Sequence, residues 1–206
     1  WVDDFMAAAE RLEIQVVVGS EQHQVLEDLA EGGAVTVDFA NPEAGADQIA
    51  RQAKSNPVRA VLGVDEPTTL VAAMAGEALG LTHNDPDGVR AAGDKYLLRQ
   101  KLAQAGLLTP GFRLVPRRAD LKTESRSIRF PCILKPLTLS GSRGVIRVDD
   151  QAEFLAAFRR IDIILEAADP AAEDILVEDY VPGTEVALEG LLEDGHLHCL
   201  ALFDKP

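Results

Sequence analysis

The first 83 residues alternate between short apolar runs and segments of helical length, and this alternation restricts the possible folds more than any other feature of the sequence. The apolar runs are "IQVVV" (14–18), "AVTVDF" (34–39) and "VRAVLGV" (58–64). Apolar spacing and Gly or Pro boundaries predict helices at residues 3–12, 22–30, 42–54 and 67–80. Short strands that alternate with helices form parallel βα units. We therefore predict an α/β fold with a doubly wound parallel sheet here, and expect a further strand before Trp1.

The second half has a different pattern, which predicts an α+β domain with antiparallel pairing. Asp94 is a predicted cap for a helix at 95–105, and "GFRLV" is a predicted strand. We predict an antiparallel pair of strands at 131–135 and 145–148, then a helix at 151–160. The strand "DILVEDYV" and a hairpin that turns at Asp194–Gly195 follow.

A lysine and a flexible, donor-rich loop separate the two strands of that pair, in "ILKPLTLSGSRGVIRV". One interpretation is a hairpin with a mobile turn. The other is a phosphate-binding loop, because backbone N–H groups in a Gly/Ser turn can bind phosphate oxygens and Lys135 adds a positive charge. The loop is not a P-loop, since its lysine precedes the glycines and strands flank it. Nor does it have the three spaced glycines of a dinucleotide-binding turn.

The distribution of charge favours a local anion site in an acidic protein. The chain has a net charge of −14, which argues against a nucleic-acid binder. Residues 90–147 nevertheless carry 13 Lys and Arg and 3 Asp and Glu, whereas the segments on either side are acidic. Chance clustering of surface charge is the alternative. Lys95 follows a predicted helix cap, where a helix end attracts anions.

Composition and cysteine content indicate a cytoplasmic protein. The apolar stretches are too short for a membrane span, and no signal peptide is apparent. Cys132 and Cys199 lie in apolar contexts, so we expect two buried free thiols without a catalytic role. His196 and His198 alternate on one strand without a third ligand at a suitable spacing, so we assign no metal-binding residue.

Three stretches together resemble the ATP-grasp superfamily, nearest to its carbamoyl-phosphate synthetase, biotin carboxylase and L-amino-acid ligase branch. They are "AAGDKYLLRQKLAQAGLLTPGFRLV", "FPCILKPLTLSGSRGV" and "ILVEDYVPGTEVALEGLLEDGHL". The resemblance implies a Rossmann-like leading domain at 1–84 and an incomplete ATP-grasp domain at 85–206, with its lid at about 116–180.

The resemblance also implies a role for each matched residue. Lys95 and Lys135 correspond to the lysines that hold the ATP phosphates. The loop that folds over the phosphates comprises Ser140, Gly141, Ser142, Arg143 and Gly144. The hinge that reads adenine, partly through backbone atoms, comprises Glu178, Asp179, Tyr180 and Val181. Glu185 corresponds to the acid that binds the ribose hydroxyls. Asp179 departs from the lysine often found there, and Lys205 is expected near the phosphates or the second substrate.

The implied activity is ATP-dependent ligation of a carboxylate to an amine through an acyl phosphate. The partners would be ATP and a small carboxylate or amino acid, and a homodimer is compatible with the sequence. The family's Mg²⁺ ligands would lie beyond Pro206, so we expect this chain to be a fragment that does not turn over alone. A non-catalytic ATP-binding module in regulation or assembly is the alternative. A dinucleotide-dependent oxidoreductase is disfavoured, because the first strands lack the glycine fingerprint.

Overall fold

The structure is a computed structural model that describes residues 2–22 and 32–205. The chain divides into two compact units, Trp1–Lys101 and Leu102–Pro206. In chain order the elements of the first unit are α1 (Val2–Arg11), β1 (Val18–Ser20), β2 (Ala34–Thr36), α2 (Pro42–Ser55), α3 (Glu66–Leu79), α4 (Pro86–Gly93) and α5 (Lys95–Gln104), the last of which crosses the division. The helix predicted at residues 22–30 and His23 lie outside the described residues, apart from residue 22 itself.

Parallel pairing in the first unit is confirmed by β1 and β2, which pair from Val18 with Ala34 to Ser20 with Thr36. The predicted strand at residues 14–18 is shifted in the structure, because the ladder begins only at Val18. Helices α2 and α3 pack through small residues. A Cβ at Gly45 would lie 3.1 Å from Val71 Cγ1, so glycine permits this close approach.

The third predicted strand is wrong: in the described part of the first unit, residues 58–64 form no strand. The N–H of Val64 donates to Thr68 Oγ1 instead of to a neighbouring strand. Leu62 is 74% exposed, so the apolar run that predicted a buried strand is not buried throughout. Asp65 caps α3 by accepting from the N–H of Thr68, which draws the end of this segment to the helix.

The second unit contains a four-stranded antiparallel sheet covered on one face by a helix. Its elements are β3 (Phe112–Pro116), α6 (Leu121–Glu124), a 3₁₀ helix (Ser125–Ser127), β4 (Cys132–Lys135), β5 (Ile146–Val148), α7 (Gln151–Ala168), β6 (Asp174–Asp179), β7 (Glu185–Glu193) and β8 (His196–Lys205). The strand order is β3-β6-β4-β5. The predicted antiparallel pair is therefore present as β4 and β5, and the later strand β6 lies between β3 and β4.

The core of the second unit lies between this sheet and α7. Phe154, Phe158 and Ile161 of α7 are almost fully buried against Leu134 of β4 and Val177 of β6. Burial of large apolar side chains is the main stabilising term in such a core. The helix is longer than predicted, since it runs to Ala168, and its last turns add Leu165 to the core.

Strands β7 and β8 form the predicted hairpin. They pair from Glu185 with Lys205 to Glu193 with His196, with an irregularity between Glu189 and Gly190. Asp194 and Gly195 both have positive φ, as the turn between two such strands requires. The α/β class, with parallel pairing first and antiparallel pairing after it, is thus confirmed.

Candidate functional site

Lys135 is the last residue of β4 and lies on the sheet face opposite α7. Side chains alternate along a strand, and Cys132 and Leu134 belong to the core beneath α7. Ile133 is paired with Glu178 of β6, so Glu178 and Lys135 share the other face. Lys135 Nζ lies 2.6 Å from Glu178 Oε2, and the two side chains are 16% and 5% exposed. The structure therefore presents the predicted phosphate lysine as half of a largely buried ion pair.

The loop that follows Lys135 is held in two consecutive turns. The N–H of Arg143 donates to Ser140 O at 3.3 Å, and that of Val145 donates to Ser142 O at 3.1 Å. Gly141 and Ser142 both have positive φ, with values of 63° and 56°. Among the described residues, the N–H groups of Ser140, Gly141, Ser142 and Gly144 make no hydrogen bond. This short turn therefore offers four backbone donors to an anion.

Two contacts fix the ends of the loop. A Cβ at Gly144, where φ is +81°, would lie 2.9 Å from Pro136 Cγ, so only glycine fits there without a shift. At the other end, Thr138 Oγ1 donates to Asp169 Oδ2 at 3.0 Å. Asp169 is the C-cap of α7, so the loop is tied to the helix that supports the sheet.

The predicted hinge continues from the end of β6. The N–H of Asp179 donates to Gly111 O at 2.8 Å and that of Tyr180 donates to Pro131 O at 3.2 Å. Val181 is 65% exposed and its N–H makes no hydrogen bond within the described residues. Val181 is therefore the hinge residue whose backbone donor remains available to a ligand.

An arginine lies on the hinge tyrosine. The guanidinium of Arg147 sits 4.3 Å from the centre of the Tyr180 ring, a cation–π distance. Its hydrogen bond with Asp149 raises the pKa of the Arg147 guanidinium. Sequence reasoning missed this contact, although the basic segment and the aromatic residue were both visible in the sequence.

Glu185 and Lys205 face each other at the open end of the hairpin. They are register partners, and Lys205 Nζ forms an ion pair with Glu185 Oε1. Both side chains are well exposed, at 50% for Lys205 and 68% for Glu185. The predicted ribose acid thus already has a cationic neighbour on the adjacent strand.

Lys95 is the first residue of α5 and belongs to the first unit, whereas Lys135 belongs to the second. The predicted cap is present: the Asp94 carboxylate accepts from the N–H of Tyr96 at 2.9 Å and from that of Leu97 at 3.0 Å. The capping fixes the helix start that carries Lys95.

The two cysteines differ in exposure. Cys132 is buried, and burial together with the nearby Asp179 carboxylate raises the pKa of its thiol to about 11. A thiol that stays protonated is a poor nucleophile, which agrees with the prediction of a core residue. The expectation that Cys199 is buried is wrong, because it lies on the exposed hairpin. Its apolar neighbours on β8 are exposed as well.

Within residues 2–22 and 32–205, no three His, Cys, Asp or Glu side chains are grouped closely enough to hold a metal ion. Of the two histidines noted in the sequence, His198 contacts a carboxylate: its Nε2 lies 3.7 Å from Glu193 Oε2 on the neighbouring strand. The described helices include none with the length and apolar character needed to cross a membrane.

Two family models match the chain in the order that the fold displays. The ATP-grasp N-terminal domain matches residues 6–83 and the ATP-grasp domain matches residues 128–206. The chain belongs to the ATP-grasp superfamily. The second match includes Lys135, the loop, the hinge and Glu185.

The chain is similar to a protein named as a synthase and to one named as a ligase. Dapdiamide A synthase of Enterobacter agglomerans is 26% identical over 140 residues, which are 67% of this chain and 33% of that protein. The crystal structure of L-amino acid ligase from Bacillus licheniformis matches with a TM-score of 0.72 and 26% identity, over 96% of this chain and 46% of that one. The chain spans about a third of the length of the curated relatives it matches.

A second similar structure shows the fold alone, at 18% identity. It is the biotin carboxylase domain of 2-oxoglutarate carboxylase from Hydrogenobacter thermophilus, which was solved with MgADP and bicarbonate. The TM-score is 0.67, and the match covers 98% of this chain and 47% of that one.

Proposed function

We propose that this chain binds the ATP of a carboxylate–amine ligase, with the phosphates at Lys135 and the loop Ser140–Gly144. One observation carries the proposal: a lysine on the sheet face is followed by a turn with four available backbone N–H groups. Gly144 lets the turn pass close to Pro136. Phosphate oxygens are well matched to a lysine and to convergent backbone donors.

The remaining predicted residues are assigned to the nucleoside and to the outer phosphates. The hinge Glu178–Val181 would read adenine, with the available N–H of Val181 as a donor. Glu185 would accept hydrogen bonds from the ribose hydroxyls and would exchange part of its contact with Lys205 for them. Lys95 would contact the phosphates from the start of α5. We retain the domain assignment of 1–84 as the leading domain and 85–206 as the nucleotide-binding domain.

The proposed reaction joins a small carboxylate or an amino acid to an amine. ATP supplies the γ-phosphoryl group, which would activate the carboxylate as an acyl phosphate before the amine displaces phosphate. The residues of this chain would bind and orient the phosphates and neutralise part of their charge. Mg²⁺ would accompany the nucleotide. Within the described residues, no group of three suitable side chains is present to hold it.

Calorimetric titration with ATP, ADP and AMP tests the proposal. Lys135→Ala should weaken ATP and ADP by about tenfold or more, which is about 1.4 kcal/mol, because one charged phosphate contact is lost. AMP lacks the outer phosphates, so its affinity should fall less in Lys135→Ala. Lys122→Ala is the matched control, since Lys122 is an exposed lysine of the same unit and should leave all three affinities unchanged.

The three nucleotides also separate loss of the site from loss of the fold. Lys135→Ala leaves the buried Glu178 carboxylate without this cation, which costs stability. A variant that still binds AMP is folded, so a selective loss of ATP and ADP would locate the phosphates. If Lys135→Ala binds ATP, ADP and AMP each as tightly as the wild-type chain does, the assignment of the phosphates to Lys135 is excluded.

A further inference from the structure

The ion pair places a negative charge beside the phosphate site proposed above. Lys135 Nζ and Glu178 Oε2 are 2.6 Å apart, and the carboxylate side chain is only 5% exposed. A pair of one lysine and one glutamate has no net charge. Water reaches this carboxylate poorly, so solvent screens the negative charge less than it would screen a carboxylate at the protein surface. Lys135 therefore does not attract anions as an isolated cation would.

The geometry makes repulsion unavoidable for any phosphate that Lys135 binds. A charged N–H···O contact is about 2.8 Å long, so a phosphate oxygen on Nζ lies within about 5.4 Å of Glu178 Oε2 from any direction. Two negative groups at this distance repel each other appreciably in a partly buried site. The loop N–H groups would attract the phosphate, but they would leave its repulsion by the Glu178 carboxylate in place.

We propose that Glu178 lowers the affinity of this site for phosphate chains and so keeps inorganic polyphosphates out. The proposal rests on the function proposed above. A nucleotide gains additional contacts at the hinge and at Glu185, which offset the repulsion. A bare chain such as tripolyphosphate has the same three phosphates and none of these contacts. Binding thus depends on the base and ribose, even though the charged contacts are made by the phosphates.

Titration of the full chain with tripolyphosphate and with ATP, at matched ionic strength, tests this role. In the wild-type chain, tripolyphosphate should bind at least about tenfold more weakly than ATP. In Glu178→Gln, which keeps the shape of the side chain, tripolyphosphate should bind about fivefold more tightly because the repelling charge is removed. If Glu178 only supported the fold, Glu178→Gln would instead weaken the binding of every ligand.

Two variants control for charge and position. Glu173→Gln removes one negative charge at an exposed residue just before β6, so it changes the net charge equally and should leave tripolyphosphate affinity within about twofold. Glu178→Asp keeps the charge and should still bind tripolyphosphate weakly. A gain in Glu178→Gln alone would locate the effect at this carboxylate.

The outcomes separate this inference from the proposed function. If ATP binds and Lys135→Ala weakens it, but Glu178→Gln binds tripolyphosphate no more tightly, the inference is wrong and the nucleotide site stands. If the wild-type chain binds no ATP, both fall. Tripolyphosphate that binds the wild-type chain as tightly as ATP would also contradict the inference, whatever the variants show.

Discussion

Gly144 passes so close to Pro136 that a Cβ at residue 144 would lie 2.9 Å from Pro136 Cγ and 3.0 Å from its Cδ. The same glycine has a φ of +81°, a backbone angle that residues other than glycine rarely adopt. Backbone conformation and packing thus both require glycine at the end of the loop. This contact holds the end of the loop against Pro136, the residue that follows Lys135.

Gly144→Ala should lower the free energy of unfolding by about 2–3 kcal/mol, since left-handed strain and steric overlap add together. Gly141→Ala is the matched control: Gly141 also has positive φ, but nothing lies within 4 Å of the position that a Cβ would take there. It should cost about 1 kcal/mol from strain alone. Chemical denaturation of the two variants measures the difference. Equal losses would show that Pro136 yields without cost.

Arg117 joins three segments of the second unit, and its removal should be costly. Its Nε donates to Asp162 Oδ1 at 2.5 Å and its Nη1 donates to Ala172 O at 2.8 Å, with the side chain 13% exposed. Arg117→Ala should reduce the free energy of unfolding by about 1–3 kcal/mol, because the charge-assisted hydrogen bonds and the packing of a largely buried side chain are lost.

The neighbouring Arg118 provides the control for Arg117. Arg118 is exposed, and Arg118→Ala should change stability by no more than about 0.5 kcal/mol. Urea denaturation followed by circular dichroism gives both values. Similar losses for the two arginines would mean that the contacts of Arg117 are not energetically important.

Stability should fall at alkaline pH because of Cys132. The pKa of its thiol is raised from 9.0 to about 11 by burial and by Asp179. Between these values the unfolded chain loses the Cys132 proton while the folded chain retains it, so the unfolded state is favoured as pH rises. The free energy of unfolding should decline from about pH 9 to pH 11 and level off above, as far as this group is concerned.

Comparison with Cys132→Ala isolates this thiol from other groups that titrate at alkaline pH. The variant should be less stable throughout, because a buried side chain is shortened, but its decline with pH should be smaller. Denaturation midpoints at pH 8, 9, 10 and 11 supply the comparison, at about one-unit spacing. Parallel curves for the two proteins would contradict the raised pKa.

Glu185 should distinguish nucleotides by their ribose. Glu185→Gln should reduce the preference for ATP over 2′,3′-dideoxyATP from about tenfold towards parity, since a charged acceptor for the hydroxyls is lost. The exposed Glu185–Lys205 pair adds little to stability, so the variant should fold. Competitive titration measures the preference. Glu189→Gln, an exposed acid on the same strand, should retain it.

Features encoded locally were predictable from the sequence, whereas contacts between distant segments were not. Asp65 and Asp94 each cap a helix that the sequence predicts. The Asp194–Gly195 turn likewise follows from two residues. The absent strand at 58–64 shows the limit of an apolar run, because a strand needs a partner that local sequence does not specify.

The candidate site shows the same division. Lys135 and the loop are visible as a motif, but the contact with Glu178 depends on β6 lying beside β4 in a particular register. Arg117 and Asp162 also meet only after the sheet and α7 have packed. Their partners come from elsewhere in the chain, and the position of β6 between β3 and β4 is set by tertiary packing.

The central position of β6 would link the proposed nucleotide binding to completion of the sheet. β4 and β5 are joined by the loop itself, so this hairpin can form early from local pairing, but Glu178 reaches Lys135 only when β6 has docked between β3 and β4. A chain in which β6 is undocked has the loop without the hinge. Nucleotide would therefore bind the assembled sheet in preference to earlier forms and, by mass action, protect β6 from local opening.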